Sequence, residues 1–238
     1  MINIEVVLSP ALLHLTNVKD CNVVVIDILR ATSTICTAIH EGAVSVKAVK
    51  TPADALKLKE LGYLTAAERD GLKLPGFDLG NSPFDCMNGM VTGKHIALTT
   101  TNGTKCIEAV AGSGPRNVLS GSFLNLEALA GWLVNDGHDI VLLCAGWKDS
   151  FNLEDTLFAG ALAESVKRKA PCRIDCDGTL MAMDLYGCAS GNISKFLEKS
   201  SHYKRLSHLH HEEDMKFCLQ HSVFEDIVGL VDGDMKKI

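Results

Sequence analysis

The chain has 238 residues, of which 47% are hydrophobic and 22% charged, and its formal net charge is −6 at pH 7. This length and composition are typical of a globular protein with a sizeable core and exclude a disordered one. The negative charge argues against nucleic acid as a partner. No apolar run approaches the roughly 18–20 residues needed to span a bilayer, so we expect no membrane partner either.

The chain start lacks the basic region and the cleavage site of a signal peptide, so we expect a cytoplasmic protein. Its nine cysteines occur without CxxC pairs. We therefore expect reduced, mostly buried thiols and no zinc site. A homodimer is left open, because proteins of this size often form symmetric pairs.

The first part of the chain alternates short apolar runs with segments of helical character. The predicted elements are a fully buried strand at 22–26, a helix at 31–41, a strand at 44–49, a helix at 52–61 and a strand at 63–67. Thr51 before Pro52 is a typical N-cap followed by a first-turn proline. The Gly- and Pro-rich segment 71–83 is too long for a simple connection, which is typical of a functional loop.

The same order of elements then repeats. We predict strands at 95–99, 117–122 and 139–144, separated by helices at 103–111 and 125–135, the latter capped by Asn125. Helices at 152–169, 179–198 and 212–220 and a last strand within 223–231 follow, with a polar segment at 202–211.

This alternation predicts a three-layer α/β/α fold with a largely parallel or mixed sheet. The repeat indicates an internal β-α-β-α-β duplication, unless it reflects only the periodicity common to α/β chains. We predict one domain over residues 1–238, with 1–90 and 91–238 as candidate subdomains.

Polar residues follow the predicted strands, and ligands bind at the carboxyl ends of strands in open parallel sheets. These residues are Asp27, Arg30, Thr32, Ser33, Glu68, Arg69, Thr100, Asn102, Gly103, Thr104, Cys144 and Gly146. Carboxylates can hold Mg²⁺, and arginines match phosphate oxygens. Hydroxyls and helix N-termini complete an anion site. The set indicates phosphoryl chemistry on a small anionic phosphorylated substrate.

Structural explanations compete with this hypothesis. Asp27 could be only an N-cap, segment 99–104 only a capped turn, and the pair at 68–69 only a surface ion pair. Glu154 and Asp155 could contact metal or substrate, or could only complement a helix dipole.

Two further features have alternative interpretations. Cys144 could be a nucleophile or a packed thiol. The sequence DCDGT at 175–179 matches the nucleophile motif of haloacid-dehalogenase-type phosphatases, but too few residues follow it for that domain. His208, His210 and His211 could form a metal cluster or a solvated stretch.

Nine segments together resemble the 2-phosphosulfolactate phosphatase family over residues 5–233. They are 23–35, 68–71, 75–83, 98–104, 121–125, 144–146, 153–160, 201–206 and 212–218. The resemblance implies an α/β, Mg²⁺-dependent phosphatase that hydrolyses (R)-2-phospho-3-sulfolactate to 3-sulfolactate and phosphate. In methanogenic archaea this reaction is a step toward coenzyme M.

The matching motifs also imply site residues, whose roles we infer from their chemistry. Asp27, Arg30, Glu68 and Arg69 are the catalytic candidates. The metal candidates are Asp27, Glu68, Glu154 and Asp155. The candidates for substrate or phosphate binding are Thr32, Ser33, Asn81, Ser82, Thr100, Asn102, Gly103, Thr104, Cys144, Gly146 and His202.

Four positions depart from the family pattern. Ala67 and Asp70 interrupt a usual GERGG, Ser201 replaces a usual basic residue, and Tyr203 replaces a usual glycine. Asp70 adds negative charge beside an anionic substrate, and Ser201 removes a cation. The alternatives are therefore a phosphatase for another 2-phospho hydroxy acid and a non-catalytic binding protein for a phosphorylated or sulfonated metabolite.

Overall fold

The apolar run at 22–26 is buried on both faces, as an interior parallel strand requires. In the computed structural model, which describes residues 1–238, Val23 and Val25 pack into one apolar core, and Val24 and Ile26 pack into a second core on the opposite face. The strand at Ile140–Cys144 alternates in the same way. Two cores separated by a sheet confirm the three-layer α/β/α architecture.

Eleven strands form one sheet. They are β1 (Ile2–Val7), β2 (Asn22–Ile26), β3 (Ser45–Ala48), β4 (Leu64–Arg69), β5 (Leu72–Lys73), β6 (His95–Thr99), β7 (Asn117–Gly121), β8 (Ile140–Cys144), β9 (Cys172–Arg173), β10 (Val228–Val231) and β11 (Asp234–Lys237).

Nine α-helices cover the sheet. They are α1 (Ala31–His40), α2 (Pro52–Lys59), α3 (Gly103–Ala111), α4 (Leu126–Asp136), α5 (Leu153–Lys169), α6 (Asp177–Ala189), α7 (Ile193–Leu197), α8 (Ser201–His208) and α9 (Glu212–Cys218). None of these helices has the length and apolarity that crossing a bilayer requires.

The sheet consists of two largely parallel halves joined by the hairpin β10–β11, with the short edge strand β5 antiparallel to β4. The strand order is β5-β4-β6-β3-β11-β10-β7-β2-β8-β1-β9. Pairing is parallel among β7, β2, β8, β1 and β9, and among β3, β6 and β4. The hairpin pairs antiparallel with β7 on one side and with β3 on the other, so the two halves run in opposite directions.

The two predicted repeat units exchange their first strands. Strand β2 of the first unit lies between β7 and β8 of the second, and β6 of the second unit lies between β3 and β4 of the first. The exchange is reciprocal about the hairpin, which is the arrangement that a duplicated unit would give. Residues on both sides of position 90 therefore contribute to each half of the sheet.

The carboxyl ends of β2 and β6 meet although their halves run in opposite directions. A twist of roughly 20–25° per strand, accumulated over the five steps from β2 to β6, turns the two ends toward each other. The contact is close, because a Cβ built on Gly103 at the start of α3 would lie 2.7 Å from Ala31 Cβ at the start of α1. The N-termini of α1 and α3 therefore meet at one place.

Most predicted elements are present, and the Thr51 cap is confirmed by the Asp54 amide that donates to its hydroxyl. The single helix predicted at 179–198 was wrong. Helix α6 ends at Ala189, and the separate short helix α7 follows. Most of the polar segment at 202–211 is helical, because α8 covers Ser201–His208.

Asn125 is the N-cap residue of α4, as predicted, but its side chain serves a different turn. A short 3₁₀ turn at Phe123–Asn125 precedes α4, and Ser122 and Asn125 form a capping box around that turn. The side chain of Asn125 consequently makes no capping hydrogen bond to α4.

Candidate active site

A polar cleft lies where β2, β4 and β6 end. Seven predicted residues line it: Asp27, Arg30, Glu68, Asn81, Thr100, Asn102 and His202. Six further residues complete the wall: Leu29, Gly71, Thr101, Trp147, Arg205 and Leu206.

Asp27 follows β2 directly and is buried between the starts of α1 and α3. Its Oδ1 accepts a hydrogen bond from the Ala31 amide at 3.2 Å, so it also caps the start of α1. A Cβ on Gly103 would lie 2.8 Å from its Oδ2, so only glycine leaves room for the carboxylate there. Burial raises the pKa of Asp27 to about 6, and the nearby Glu68 and Glu154 carboxylates add to the effect.

Glu68 and Arg69 are adjacent on β4, so their side chains leave opposite faces of the strand. Glu68 points into the cleft, where its carboxylate accepts from the amides of Gly71 and Thr101. Arg69 lies outside the cleft wall, and its guanidinium donates to Thr99 Oγ1 at 3.0 Å and to the Glu68 carbonyl at 2.6 Å. The structure thus brings Glu68 to the cleft and directs Arg69 away from it.

Arg30 lines the cleft as half of a buried ion pair. Its guanidinium donates to Asp214 Oδ2 and, at 3.0 Å, to the carbonyl of Gly71. Asp214 also accepts from Ser82 Oγ at 2.7 Å, which ties α9 to the long loop before β6. The charge of Arg30 is therefore largely balanced within the protein.

Glu154 and His202 form a second buried pair. Glu154 Oε1 bonds His202 Nδ1, and Glu154 Oε2 is buried with no hydrogen-bond partner. A carboxylate beside Nδ1 favours the tautomer that carries its proton on Nδ1. Nε2 is then unprotonated. His202 lines the cleft, whereas Glu154 stands behind it.

Asp155 is held by backbone amides. Its Oδ1 accepts from Ile28 at 2.9 Å, and its Oδ2 accepts from Gly146 at 3.0 Å. Burial, with Asp27 and Glu154 close by, raises the pKa of Asp155 well above its ordinary value. Asp155 and Gly146 thus fix the ends of β2 and β8 together and are absent from the cleft wall.

Four predicted hydroxyl residues make hydrogen bonds within the protein. They are Thr32, whose Oγ1 accepts from the Asp27 amide, Ser33, which donates to Ile28 O, Ser82, which bonds Asp214, and Thr104, whose Oγ1 donates to Thr100 O. Thr32, Ser33 and Thr104 organise the starts of α1 and α3, Ser82 ties the long loop to α9, and none of the four lines the cleft.

Cys144 is fully buried in β8 and does not reach the cleft. Burial, together with the charge of Asp155, raises the pKa of its thiol well above the ordinary value. A thiolate nucleophile needs the opposite environment, so the packed-thiol interpretation is favoured.

Arg205 and Trp147 are the main cleft residues absent from our prediction. The Arg205 guanidinium carbon lies 4.2 Å from the centre of the Trp147 ring, and its Nε is buried without a partner. Arg205 and Leu206 share a face of α8 with His202, at spacings of three and four residues. The one available signal was the family-like segment 201–206, which gives no indication of which side chain faces the cleft.

The DCDGT motif lies elsewhere. It starts α6 beside β1, with Thr179 donating to Ile4 O and with Asp175 and Asp177 exposed. Of the three candidate histidines at 208–211, His211 packs near the cleft, where its Nε2 bonds Gly71 O at 2.9 Å.

The residues around Asp27 suit a hard cation in their donor chemistry. The carboxylates of Asp27 and Glu68 supply oxygen donors, and the buried Oδ1 of Asn81 and Oε2 of Glu154 have no hydrogen-bond partner. The four predicted ligands do not form a preassembled group, since no three His, Cys, Asp or Glu side chains stand close enough to enclose a metal. Mg²⁺ is usually held by only one or two carboxylates with substrate phosphate oxygens, so Asp27 and Glu68 fit it.

The chain matches one family model, described as 2-phosphosulpholactate phosphatase, over residues 7–233. A curated relative from Thermotoga petrophila, named "Probable 2-phosphosulfolactate phosphatase", is 41% identical over 97% of this chain and 96% of its own length. Relatives with the same name from Thermotoga maritima and Caldanaerobacter subterraneus subsp. tengcongensis are 40% and 37% identical. They cover 97% and 91% of this chain and 96% and 90% of their own lengths.

Proposed function

The chain belongs to the 2-phosphosulfolactate phosphatase family, and from that premise we propose that it hydrolyses 2-phospho-3-sulfolactate to 3-sulfolactate and phosphate with the aid of Mg²⁺. Membership makes it a phosphoric monoester hydrolase. The single observation that carries the proposal is the convergence of Asp27, Glu68, Asn102 and His202 on one small polar cleft.

The phosphate group would lie where the N-termini of α1 and α3 meet. Helix N-termini favour anions, because their first amides have no partner within the helix. Thr100 and Asn102 line the cleft at the start of α3, and Asn81 reaches it from the long loop. These groups would hold the phosphate oxygens and orient the phosphorus.

Asp27 and Glu68 would hold Mg²⁺ beside the phosphate. When bound, the ion would neutralise the phosphate charge and lower the barrier to displacement at phosphorus. Its presence would also explain the crowding of acids, because the pKa of Asp27 is raised to about 6 without any cation.

Hydrolysis breaks the bond between phosphorus and the C2 oxygen, and that oxygen leaves with a proton. His202 is suited to move that proton, since Glu154 holds its Nδ1 and leaves Nε2 free to take a proton from water and pass it to the leaving oxygen. The nucleophile is either water or a carboxylate oxygen of Asp27. Water would give phosphate directly, whereas attack by Asp27 would give an acyl phosphate that water then hydrolyses.

The direct test is phosphate release from 2-phospho-3-sulfolactate, 2-phospholactate and 2-phosphoglycerate, each with Mg²⁺ and with EDTA. EDTA-sensitive turnover of the sulfonate is the expected result. Turnover of a carboxylate substrate alone would retain the chemistry and change the substrate. Binding of these ligands without turnover of any would contradict the proposal and support a binding protein.

Rapid quenching followed by borohydride reduction distinguishes the two nucleophiles. An acyl phosphate at Asp27 would be reduced, and residue 27 would appear modified in a peptide map. Absence of that modification during rapid turnover would indicate direct attack by water.

Asp70 and Ser201, the two departures that raised the question of substrate, lie at the margin of the site. Asp70 is exposed and absent from the cleft wall. Ser201 is exposed and lines an outer pocket next to the cleft. Asp70 therefore places no charge inside the cleft, whereas Ser201 borders the pocket beside Arg205 and leaves it without the family's usual cation.

A further inference from the structure

Three arginines lie near the cleft, and they differ in the groups to which they are bonded. Arg30 is paired with Asp214, and Arg69 is bonded to Thr99 outside the cleft wall. Arg205 makes no ion pair and no hydrogen bond through its guanidinium, whereas Arg30 leaves only its Nε without a partner. Arg205 is therefore the arginine whose charge and donors are available to a ligand.

Arg205 also has a fixed orientation. The ring of Trp147 lies 4.2 Å from its guanidinium carbon, a distance typical of cation–π stacking. Stacking holds the planar group in place, so less freedom is lost when it binds an anion. Burial lowers the pKa of Arg205, and the nearby acids Glu68, Asp70 and Glu154 oppose that shift.

The position of Arg205 defines which part of a substrate it would contact. Arg205, His202 and Trp147 border both the cleft and an outer pocket of about 420 Å³, which Ser150, Phe151 and Ser201 also line. A group bound by Arg205 thus lies on the side of the cleft that borders the outer pocket.

We infer that Arg205 binds the sulfonate of the substrate and is the residue that selects a sulfonated phosphoester over one without that group. The inference rests on the proposed function. In 2-phospho-3-sulfolactate the sulfonate is the bulkier of the two remaining anionic groups and extends one bond further from C2 than the carboxylate. The side that opens into the outer pocket has room for its three oxygens.

The test compares kcat/KM for 2-phospho-3-sulfolactate with kcat/KM for 2-phospholactate, which carries hydrogen in place of the sulfonate. We expect Arg205→Gln to lower the ratio of the two values about 10- to 100-fold, the loss of one charge-assisted contact, mainly through KM. Arg205→Lys should restore part of the ratio, because it keeps the charge but loses the planar donors.

Lys148→Gln is the matched control. The Lys148 ammonium also lies over the Trp147 ring, at 4.5 Å, but it is exposed and absent from the cleft wall. This variant should leave the ratio at the wild-type value. Equal losses of Arg205→Gln on both substrates, or no loss on either, would overturn the inference.

Product binding separates failure of this inference from failure of the proposed function. If the wild type releases no phosphate from 2-phospho-3-sulfolactate, the proposed function fails by that result alone. Calorimetric titration with 3-sulfolactate and with lactate then still tests Arg205. The variant Arg205→Gln should weaken binding of 3-sulfolactate and not of lactate, and unchanged binding of 3-sulfolactate would overturn the inference.

Discussion

Asp27 is a carboxylate buried beside other carboxylates, and this environment decides its chemistry. The charges of Glu68 and Glu154 raise the pKa of Asp27, and the charge of Asp27 in turn raises the pKa of Asp155. One amide hydrogen bond and the ring of His202 compensate only in part. A carboxylate in this position is stabilised in its charged form by a bound cation, which connects the stability of the protein to metal and to pH.

Stability in EDTA should therefore depend on pH through Asp27. The pKa of Asp27 is about 6 in the folded protein and about 3.9 when unfolded. The contribution of Asp27 to the free energy of unfolding is fully present below pH ~4 and is lost as the pH rises through ~6. The total loss is about 1–3 kcal/mol, at ~1.4 kcal/mol per pKa unit. Urea unfolding at pH 4.5 and 7.5 should show this loss in the wild type.

The variant Asp27→Asn is the comparison for that loss. It should remove this part of the pH dependence, and millimolar Mg²⁺ should restore the stability of the wild type but not of the variant at pH 7.5. Identical pH profiles of the two proteins in EDTA would contradict this account of Asp27.

Cys144 provides a second residue-level prediction. Because its thiol is fully buried and its pKa is raised, Cys144→Ala should retain phosphatase activity within a few-fold. Iodoacetamide should likewise leave the native wild type active and leave Cys144 unlabelled in a peptide map. Loss of activity in a folded Cys144→Ala protein would revive a thiol mechanism.

Among the elements, the helices α5 and α6 approach each other closely at Gly160. A Cβ on Gly160 of α5 would lie 2.0 Å from the Ala182 carbonyl oxygen of α6. Glu154 and Asp155 lie in the first turn of α5. The packing of α5 on α6 therefore also positions these two carboxylates behind the cleft.

Gly160→Ala should destabilise the protein by about 1–3 kcal/mol or more, since one helix must shift to admit the methyl group. Gly131 of α4 is the control, because nothing lies within 4 Å of a Cβ built there. Gly131→Ala should stabilise by about 0.4–1 kcal/mol through the entropy of the unfolded chain. Equal effects of the two substitutions in urea unfolding would show that the α5–α6 contact is looser than described.

The elements also show what could be predicted from the sequence. Strands β2 and β8 were found because their apolar runs are buried on both faces. Helix α8 was missed because its polar composition hides the spacing of His202, Arg205 and Leu206. Arg69 was assigned to the site although strand alternation with Glu68 allows only one of them to face the cleft. Pairings between distant segments, such as Arg205 with Trp147 and Glu154 with His202, leave no local pattern.

At the scale of the whole molecule, the site lies at the junction of the two halves of the sheet. Asp27 comes from the half that contains β2, and Glu68 and Thr100 come from the half that contains β4 and β6. The hairpin β10–β11 joins the halves, and α8 and α9 add His202, Arg205 and Asp214. Because each half supplies part of the site, phosphatase activity requires both halves to be folded and joined.

The most direct measurement is the Mg²⁺-dependent rate of phosphate release from 2-phospho-3-sulfolactate by the wild type, Asp27→Asn and Asp184→Asn. Asp184 is an exposed carboxylate on α6, so its variant controls for the loss of one charge. We expect Asp27→Asn to lower kcat roughly 10²–10³-fold or more with the fold intact, and Asp184→Asn to match the wild type. A folded Asp27→Asn protein that turns over at the wild-type rate would contradict the assignment of this cleft as the catalytic site.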